Sequence, residues 1–257
     1  MANSFDIHAQ NYDDAFTFSN IGQAQRKRVY FFLSEMLKED NLNILEINCG
    51  TGEDANYLTN KGHNVLATDI STAMIAQAKK KYPTINFQTL DITSNAIEKL
   101  DKKFDVIFSN FGGLNCLSKA QLATFLGISE ALLKTNGKAI LVIMPKKTLS
   151  ERLYFILKLQ PRKAFRRNSH NPVHVYVEGV KIPTWYYDPK EVVTLAKEKL
   201  KPVAIKPIGI AIPPSYLEPF FAKRKGLLKL LEQIESWLSS SYWAKYADHY
   251  LIAFTKE

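Results

Sequence analysis

Residues 43–55 read NILEINCGTGEDA. Ile44, Leu45 and Ile47 form a short apolar run of the kind a buried strand uses. Glu46 interrupts that run just before a turn. Gly50 and Gly52 then give backbone with little side-chain bulk, which can approach a ligand closely. A helix is expected over 53–61. A strand, a glycine turn and a helix in this order begin the nucleotide pocket of an open α/β sheet.

Working outward, the periodicity alternates. Strands are expected at 43–47, 64–69, 86–91, 104–109 and 138–144, with helices at about 53–61, 72–81, 95–101 and 119–134 between them. That pattern predicts a Rossmann-like, doubly wound α/β fold: a mostly parallel seven-stranded sheet with an antiparallel last strand and a cap built from insertions. Residues 1–257 read as one domain. Residues 1–41 are a helical lead-in whose clearest helix is QAQRKRVYFFLSEMLKE, and 42–145 are the cofactor-binding core. The rhythm breaks at Pro145. Residues 146–187 are a cap insertion, holding the amphipathic LSERLYFILKL and a hairpin that turns at Glu178–Gly179. Residues 188–257 finish the sheet (helix 189–200, strand 203–212, final strand HYLIAFT) around a second helical insertion at about 213–246.

The chain has 257 residues, 46% of them hydrophobic, enough for one large domain with a substantial core. Its two cysteines, Cys49 and Cys116, have neither CxxC nor metal-type spacing, so a reduced, cytoplasmic setting without a metal site is expected. The opening MANSFDIHAQNYDD is polar and acidic, unlike a signal peptide. The longest apolar runs, such as AILVIM, fall far short of the ~20 residues of a membrane span. The net charge of +9 is lopsided. Residues 146–257 hold 20 of the 34 basic residues and 10 of the 25 acidic ones. Residues 146–167, KKTLSERLYFILKLQPRKAFRR, alone hold eight basic residues and one acid. Such asymmetry points to an acidic substrate, carrier or surface, or else to a solvated face.

Gly50, Gly52 and Ala55 also satisfy G-x-G-x-x-A, a dinucleotide fingerprint. Asn48 and Cys49 intervene before the first glycine, however, and Glu46 would repel a pyrophosphate. An acid there suits a ligand carrying positive charge.

Here the sequence resembles the class I S-adenosylmethionine-dependent methyltransferases, over roughly residues 5–145 and more loosely 188–257. Their acid-x-G-x-G-x-G motif appears as Glu46-Ile47-Asn48-Cys49-Gly50-Thr51-Gly52. Asn48 replaces the first glycine, and asparagine tolerates unusual backbone angles better than most residues. The resemblance implies S-adenosylmethionine as cofactor. It places Asp69 on the ribose hydroxyls, Ile70 and Met74 against the adenine, Asp91 and Ile92 at the adenine amino group and ring, and Asn110 and Phe111 beside the methionine end. The opening FDIHAQNYDDAFTFSNIGQAQRKR is similar to small-molecule methyltransferases of the biotin-synthesis and quinone-methylation type. That similarity implies that Tyr12 closes over the cofactor and Arg26 pairs with its carboxylate.

The acceptor is expected to be a small molecule presenting an oxygen, nitrogen or carbon nucleophile. A sulfonium methyl is already activated, so alignment and exclusion of water are the main tasks. If a base is needed, His170, His174 and His249 are the candidates by type, ahead of His8 and His63. Trp185 and Tyr186, with Tyr187, end the hairpin as a candidate acceptor wall, and Arg162, Lys163, Arg166 and Arg167 as cations for an acidic acceptor. The stretch after the fourth strand is Asn110-Phe111-Gly112-Gly113, not the N-P-P-Y of amino-methylating enzymes. The alternatives are an RNA methyltransferase, favoured by the basic second half but lacking a recognisable RNA-binding module, a nicotinamide-dependent oxidoreductase, and a non-catalytic cofactor-binding relative serving as a scaffold. The sequence leaves the oligomeric state open.

Overall fold

The computed structural model describes residues 6, 12–177, 180–196 and 198–257. The expected hairpin turn at Glu178–Gly179 and His8 lie outside the described residues. Seven strands form the main sheet: β1 (Asn43–Ile47), β2 (Asn64–Asp69), β3 (Asn86–Thr89), β4 (Phe104–Ser109), β5 (Leu133–Ile143), β8 (Lys201–Ile208) and β9 (His249–Thr255). Their order is β3-β2-β1-β4-β5-β9-β8. Only β9 runs against the others, pairing antiparallel with both β5 and β8. Strands β6 (Val173–Val177) and β7 (Val180–Thr184) make a separate antiparallel pair.

Nine helices complete the described fold: α1 (Asn20–Met36), α2 (Glu53–Asn60), α3 (Thr72–Lys81), α4 (Lys119–Leu132), α5 (Leu149–Leu157), α6 (Pro161–Ala164), α7 (Pro189–Ala196), α8 (Glu218–Phe221) and α9 (Lys225–Trp237). Side chains alternate across the sheet, as strand geometry requires. On one face Ile44, Val106, Phe108, Ile140 and Val142 pack with Val29, Phe32 and Leu33 of α1. On the other, Leu45, Ile47, Ile107, Leu141 and Ile143 pack with Leu122, Phe125 and Leu126 of α4 and Val192 of α7. Glu46 shares the α1 face with Ile44, which puts its carboxylate beside the lead-in helix.

Three elements differ from the sequence reading for local reasons. The helix expected over 95–101 is one 3-10 turn, Ile97–Lys99. Strand β3 stops at Thr89, two residues before Asp91. Its pairing closes with Leu90 N–H to the Asp69 carbonyl, and Asp91 then accepts from the backbone and hydroxyl of Thr93 in a side-chain turn. Strand β8 ends at Ile208 because Gly209 takes φ +76°, a left-handed angle. The first insertion departs from the carboxyl end of β5, the edge where ligands sit in open α/β sheets. No helix among the described residues is long and apolar enough to cross a membrane.

Candidate active site

The loop after β1 is wound by three successive left-handed positions. Asn48 has φ +57°, Gly50 +54° and Gly52 +85°. Asn48 thus adopts the angle the missing glycine would supply. Its Nδ2 donates to Ser109 Oγ at 3.1 Å, tying the loop to the end of β4. Gly52 cannot be replaced without strain, since a Cβ there would lie 2.7 Å from Phe87 Cζ.

Asp69 closes β2 directly opposite. Its Oδ2 accepts from Gly50 N–H and its Oδ1 from Ser71 N–H, each at 2.9 Å. Burial raises its pKa, and those amide bonds partly oppose the rise. A carboxylate has about four lone-pair positions, so two remain for a diol. Asn48, Asp69, Ile70, Asp91 and Ile92 bound one cavity of about 400 Å³, together with Leu90, Thr93, Gly113, Cys116 and Leu117. Met74 is buried in α3 and does not line this cavity.

The second half of the site lies beneath the lead-in, bounded by Tyr12, Arg26, Asn48, Cys49, Gly50, Asp54, Asn110 and Phe111. Its open space is about 20 Å³, room for roughly one water. Arg26 is buried and its Nη1 donates to Asp54 Oδ1 at 2.5 Å. Asp54 also accepts from Tyr30 Oη at 2.7 Å and Asn110 Nδ2 at 3.0 Å. Arg26 Nε has no hydrogen-bond partner. Phe111 holds φ +44°, with its N–H given to Asn110 Oδ1. Its ring meets Phe16 edge-on at 5.1 Å and lies 5.1 Å from the Arg26 guanidinium. Strain of this kind clusters where a side chain must be aimed. Burial pushes the Tyr12 hydroxyl up to about 12, against the pull of Arg26.

Glu46 is the anomaly. It is fully buried, its Oε2 has no partner, and burial plus the nearby Asp54 charge raise its pKa well above the ordinary range. An orphaned buried carboxylate costs stability unless something positive meets it. The pH consequence has a definite sign. Below the ordinary glutamate value of 4.5 both folded and unfolded chains are protonated there. Above it the unfolded chain ionises first, so stability falls as pH rises through the window up to the raised folded value. We expect the melting temperature of Glu46→Gln to decline less than that of the wild type from pH 4.5 upward; parallel curves would place the penalty elsewhere.

The lead-in is pinned over this half of the site. Asp13 accepts from Thr51 Oγ1 and pairs with Lys81, both at 2.6 Å. Asp6 accepts from Ser71 Oγ at 2.5 Å. Tyr12 sits against Gly50.

The histidines separate clearly. His170 and His174 are exposed, His174 on β6. His63 lies just before β2, at the opposite end of the sheet from the site. His249 opens β9, buried, its ring edge-on to Phe111 at 5.6 Å and its Nδ1 3.3 Å from Asp248 Oδ2. Asp248 lies well below the usual carboxylate range: burial alone would raise it, but its interactions with His249 and Arg167 outweigh that. Arg167 joins Asp248 at 2.9 Å and Glu151 at 2.7 Å, and Arg166 also binds Glu151 at 2.8 Å. Arg167 therefore ties the cap to Asp248 beside the sheet, Arg166 pairs within the cap, and neither stands free for an acceptor. Trp185 and Tyr186 line neither cavity. The backbone of Trp185 is clamped by Asn115, and the Tyr186 ring lies 5.0 Å from the Arg167 guanidinium.

A family model described as a methyltransferase domain matches residues 44–137. The chain is similar to known methyltransferases over part of its length. Along 82 residues, 31% of the chain, it is 34% identical to putative methyltransferase 235L of Invertebrate iridescent virus 6. Along 111 residues, 43% of the chain, it is 32% identical to a malonyl-[acyl-carrier protein] O-methyltransferase of Hamiltonella defensa. The chain spans 30% and 40% of these relatives' lengths. A TehB-like SAM-dependent methyltransferase of Corynebacterium glutamicum superposes with a TM-score of 0.55 at 15% identity, over 98% of this chain and 99% of its own. The chain thus shares its overall fold with that protein.

Sequence reasoning passed over Asp54, Asn115 and Asp248. Asp54 was legible as an acid in the first turn after Gly52, where helix N-termini favour negative charge. Asn115 bonds the Met144 and Trp185 carbonyls and accepts from Met144 N–H, bridging segments distant in sequence. No local signal marks that role.

Proposed function

We propose that the chain is an S-adenosylmethionine-dependent methyltransferase acting on an oxygen, nitrogen or carbon nucleophile of a small molecule. The observation that carries this reading is the cavity walled by Asn48, Asp69 and Asp91 at consecutive strand ends. Asp69 would take the ribose hydroxyls, and Ile70 and Ile92 the faces of the adenine, with Asp91 at its edge. The orphaned Glu46 and the partnerless Arg26 Nε suit the charged ammonium and carboxylate of the methionine end. The cofactor supplies a methyl group activated on a sulfonium. The chain's own residues then bind and orient the reactants, and Tyr12, Phe16 and Phe111 exclude water.

The acceptor is read as acidic. The basic second half supports this, as does similarity to an enzyme named for a malonyl acceptor. Residues 146–187 and about 213–246 are read as the cap that selects it. An acceptor nucleophile that is already anionic needs no base. A neutral hydroxyl does, and His249, with Asp248 behind it, is the candidate for that role. Two free thiols raised by burial, Cys116 to about 11 and Cys49 well above its usual value, suit a reducing cytoplasm.

Isothermal titration should give micromolar affinity for both S-adenosylmethionine and S-adenosylhomocysteine. A folded protein that binds neither overturns the proposal. Asp69→Ala should weaken binding by about 1–3 kcal/mol, the worth of hydrogen bonds to a charged acceptor, while circular dichroism stays native. Unchanged affinity would move the ribose partner elsewhere.

A further inference from the structure

The first cap helix carries its apolar face outward. Leu149, Leu153, Ile156 and Leu157 follow the spacing that normally faces a core, yet they are 43, 61, 48 and 74% exposed. Glu151, the acid of the same helix, is buried against Arg166 and Arg167. Leu159 beyond the helix is 88% exposed and Phe165 50%. The surface continues sideways: Tyr154 and Phe155 lie 5.6 and 6.0 Å from Tyr216, four residues before exposed Phe220.

Cations ring this patch and rest on its aromatic rims. Arg152 lies 5.1 Å from the Phe165 ring, Lys158 5.9 Å from Tyr154, Lys163 5.9 Å from Phe155 and Arg224 4.0 Å from Phe220. Among the described residues, Arg152, Lys158, Arg162, Lys163 and Arg224 have no ion-pair partner. From 146 to 177 Glu151 is the single acid, and it is turned inward.

We infer that this face, α5 with residues 159–165, Tyr216 and Phe220, docks on an anionic lipid surface. Scattered exposed leucines need no explanation, but a contiguous apolar patch rimmed by polar groups marks an interaction site. The leucines project outward at helical spacing, with aromatic rings and long basic side chains about them. That is the arrangement of an interfacial helix: apolar side chains enter the acyl boundary while lysine and arginine reach the headgroups. An uncharged surface would leave the cations unanswered. This inference goes beyond methyl transfer and stands whether or not the site below is catalytic.

The test is co-sedimentation of the whole chain with vesicles of phosphatidylcholine alone or mixed with phosphatidylglycerol, at about 0.1 M salt where long-range attraction is screened. The wild type should bind the mixed vesicles and not the neutral ones. Leu153→Glu/Leu157→Glu, both exposed and so harmless to the fold, should reduce partitioning by about tenfold or more, since burying two leucines is worth at least that factor. Arg152→Ala/Lys158→Ala/Arg162→Ala/Lys163→Ala should do likewise and lessen the salt dependence. Three outcomes overturn the inference: no binding to anionic vesicles, wild-type binding by the leucine variant, or a wild-type dimer in sedimentation velocity that the leucine variant abolishes. The last would assign the face to a second copy of this chain.

Discussion

Arg167→Ala is expected to destabilise the folded protein by about 3–5 kcal/mol, the usual cost of removing one partner from a buried ion network. The guanidinium is buried and serves two carboxylates. Its Nε and Nη2 reach Glu151 Oε2 at 3.0 and 2.7 Å, its Nη2 also meets Asp248 Oδ1 at 2.9 Å, and its Nη1 donates to the Asp248 carbonyl at 3.2 Å. Alanine would leave Glu151 with Arg166 as its remaining arginine. Asp248 would keep His249 and Gln25, whose Nε2 donates to it at 3.2 Å. Arg167→Lys should recover only part of the loss, because a single ammonium cannot span both acids with the fork geometry. Urea denaturation gives the measurement. A loss under about 1 kcal/mol would show the network to be ornamental, in the range of exposed pairs.

His249→Gln is expected to lower kcat by about 10²–10⁴-fold on an acceptor that presents a neutral hydroxyl, the usual contribution of a positioned general base. With a carboxylate acceptor the change should be small, because that nucleophile carries its charge already. Cofactor affinity should be unaltered. His249 is 7% exposed and its buried Nδ1 edge faces Asp248, so what exposure remains belongs to the rest of the ring, beside Phe111. A panel of phenol, amine and carboxylate acceptors, read by formation of S-adenosylhomocysteine, makes the comparison. Equal loss on hydroxyl and carboxylate acceptors would make His249 a support for Phe111 and not a base.

The part of the fold that repeats was legible in the sequence. Strand–turn–helix units declare themselves through local periodicity, and β1, β2, β4 and α3 fall where the pattern placed them. Asn48 was readable because one backbone angle had to be met. The functional meaning of histidines and arginines was not readable, because it depends on which ends of the sheet meet. His174 and His249 look alike in sequence; one lies exposed on a hairpin and the other at the mouth of the sheet. Arg166 and Arg167 read as part of a cationic run until Glu151, fifteen and sixteen residues earlier, is seen to turn inward beneath them. Trp185 and Tyr186 look like a wall by composition, and only the long-range clamp of Asn115 on the Trp185 backbone shows how that segment is held.

The way Asp13 straps the lead-in to Thr51 and Lys81 bears on time as well as on geometry. On the proposed reading, with space for about one water beneath Tyr12, a methionine end would pass only once those contacts break and the segment lifts. Spent cofactor would leave by the same gate. A long residence time would follow, one expected to shorten as salt weakens the Asp13–Lys81 pair. A reactive methyl held behind such a gate would be guarded from solvent for as long as an acceptor is slow to arrive.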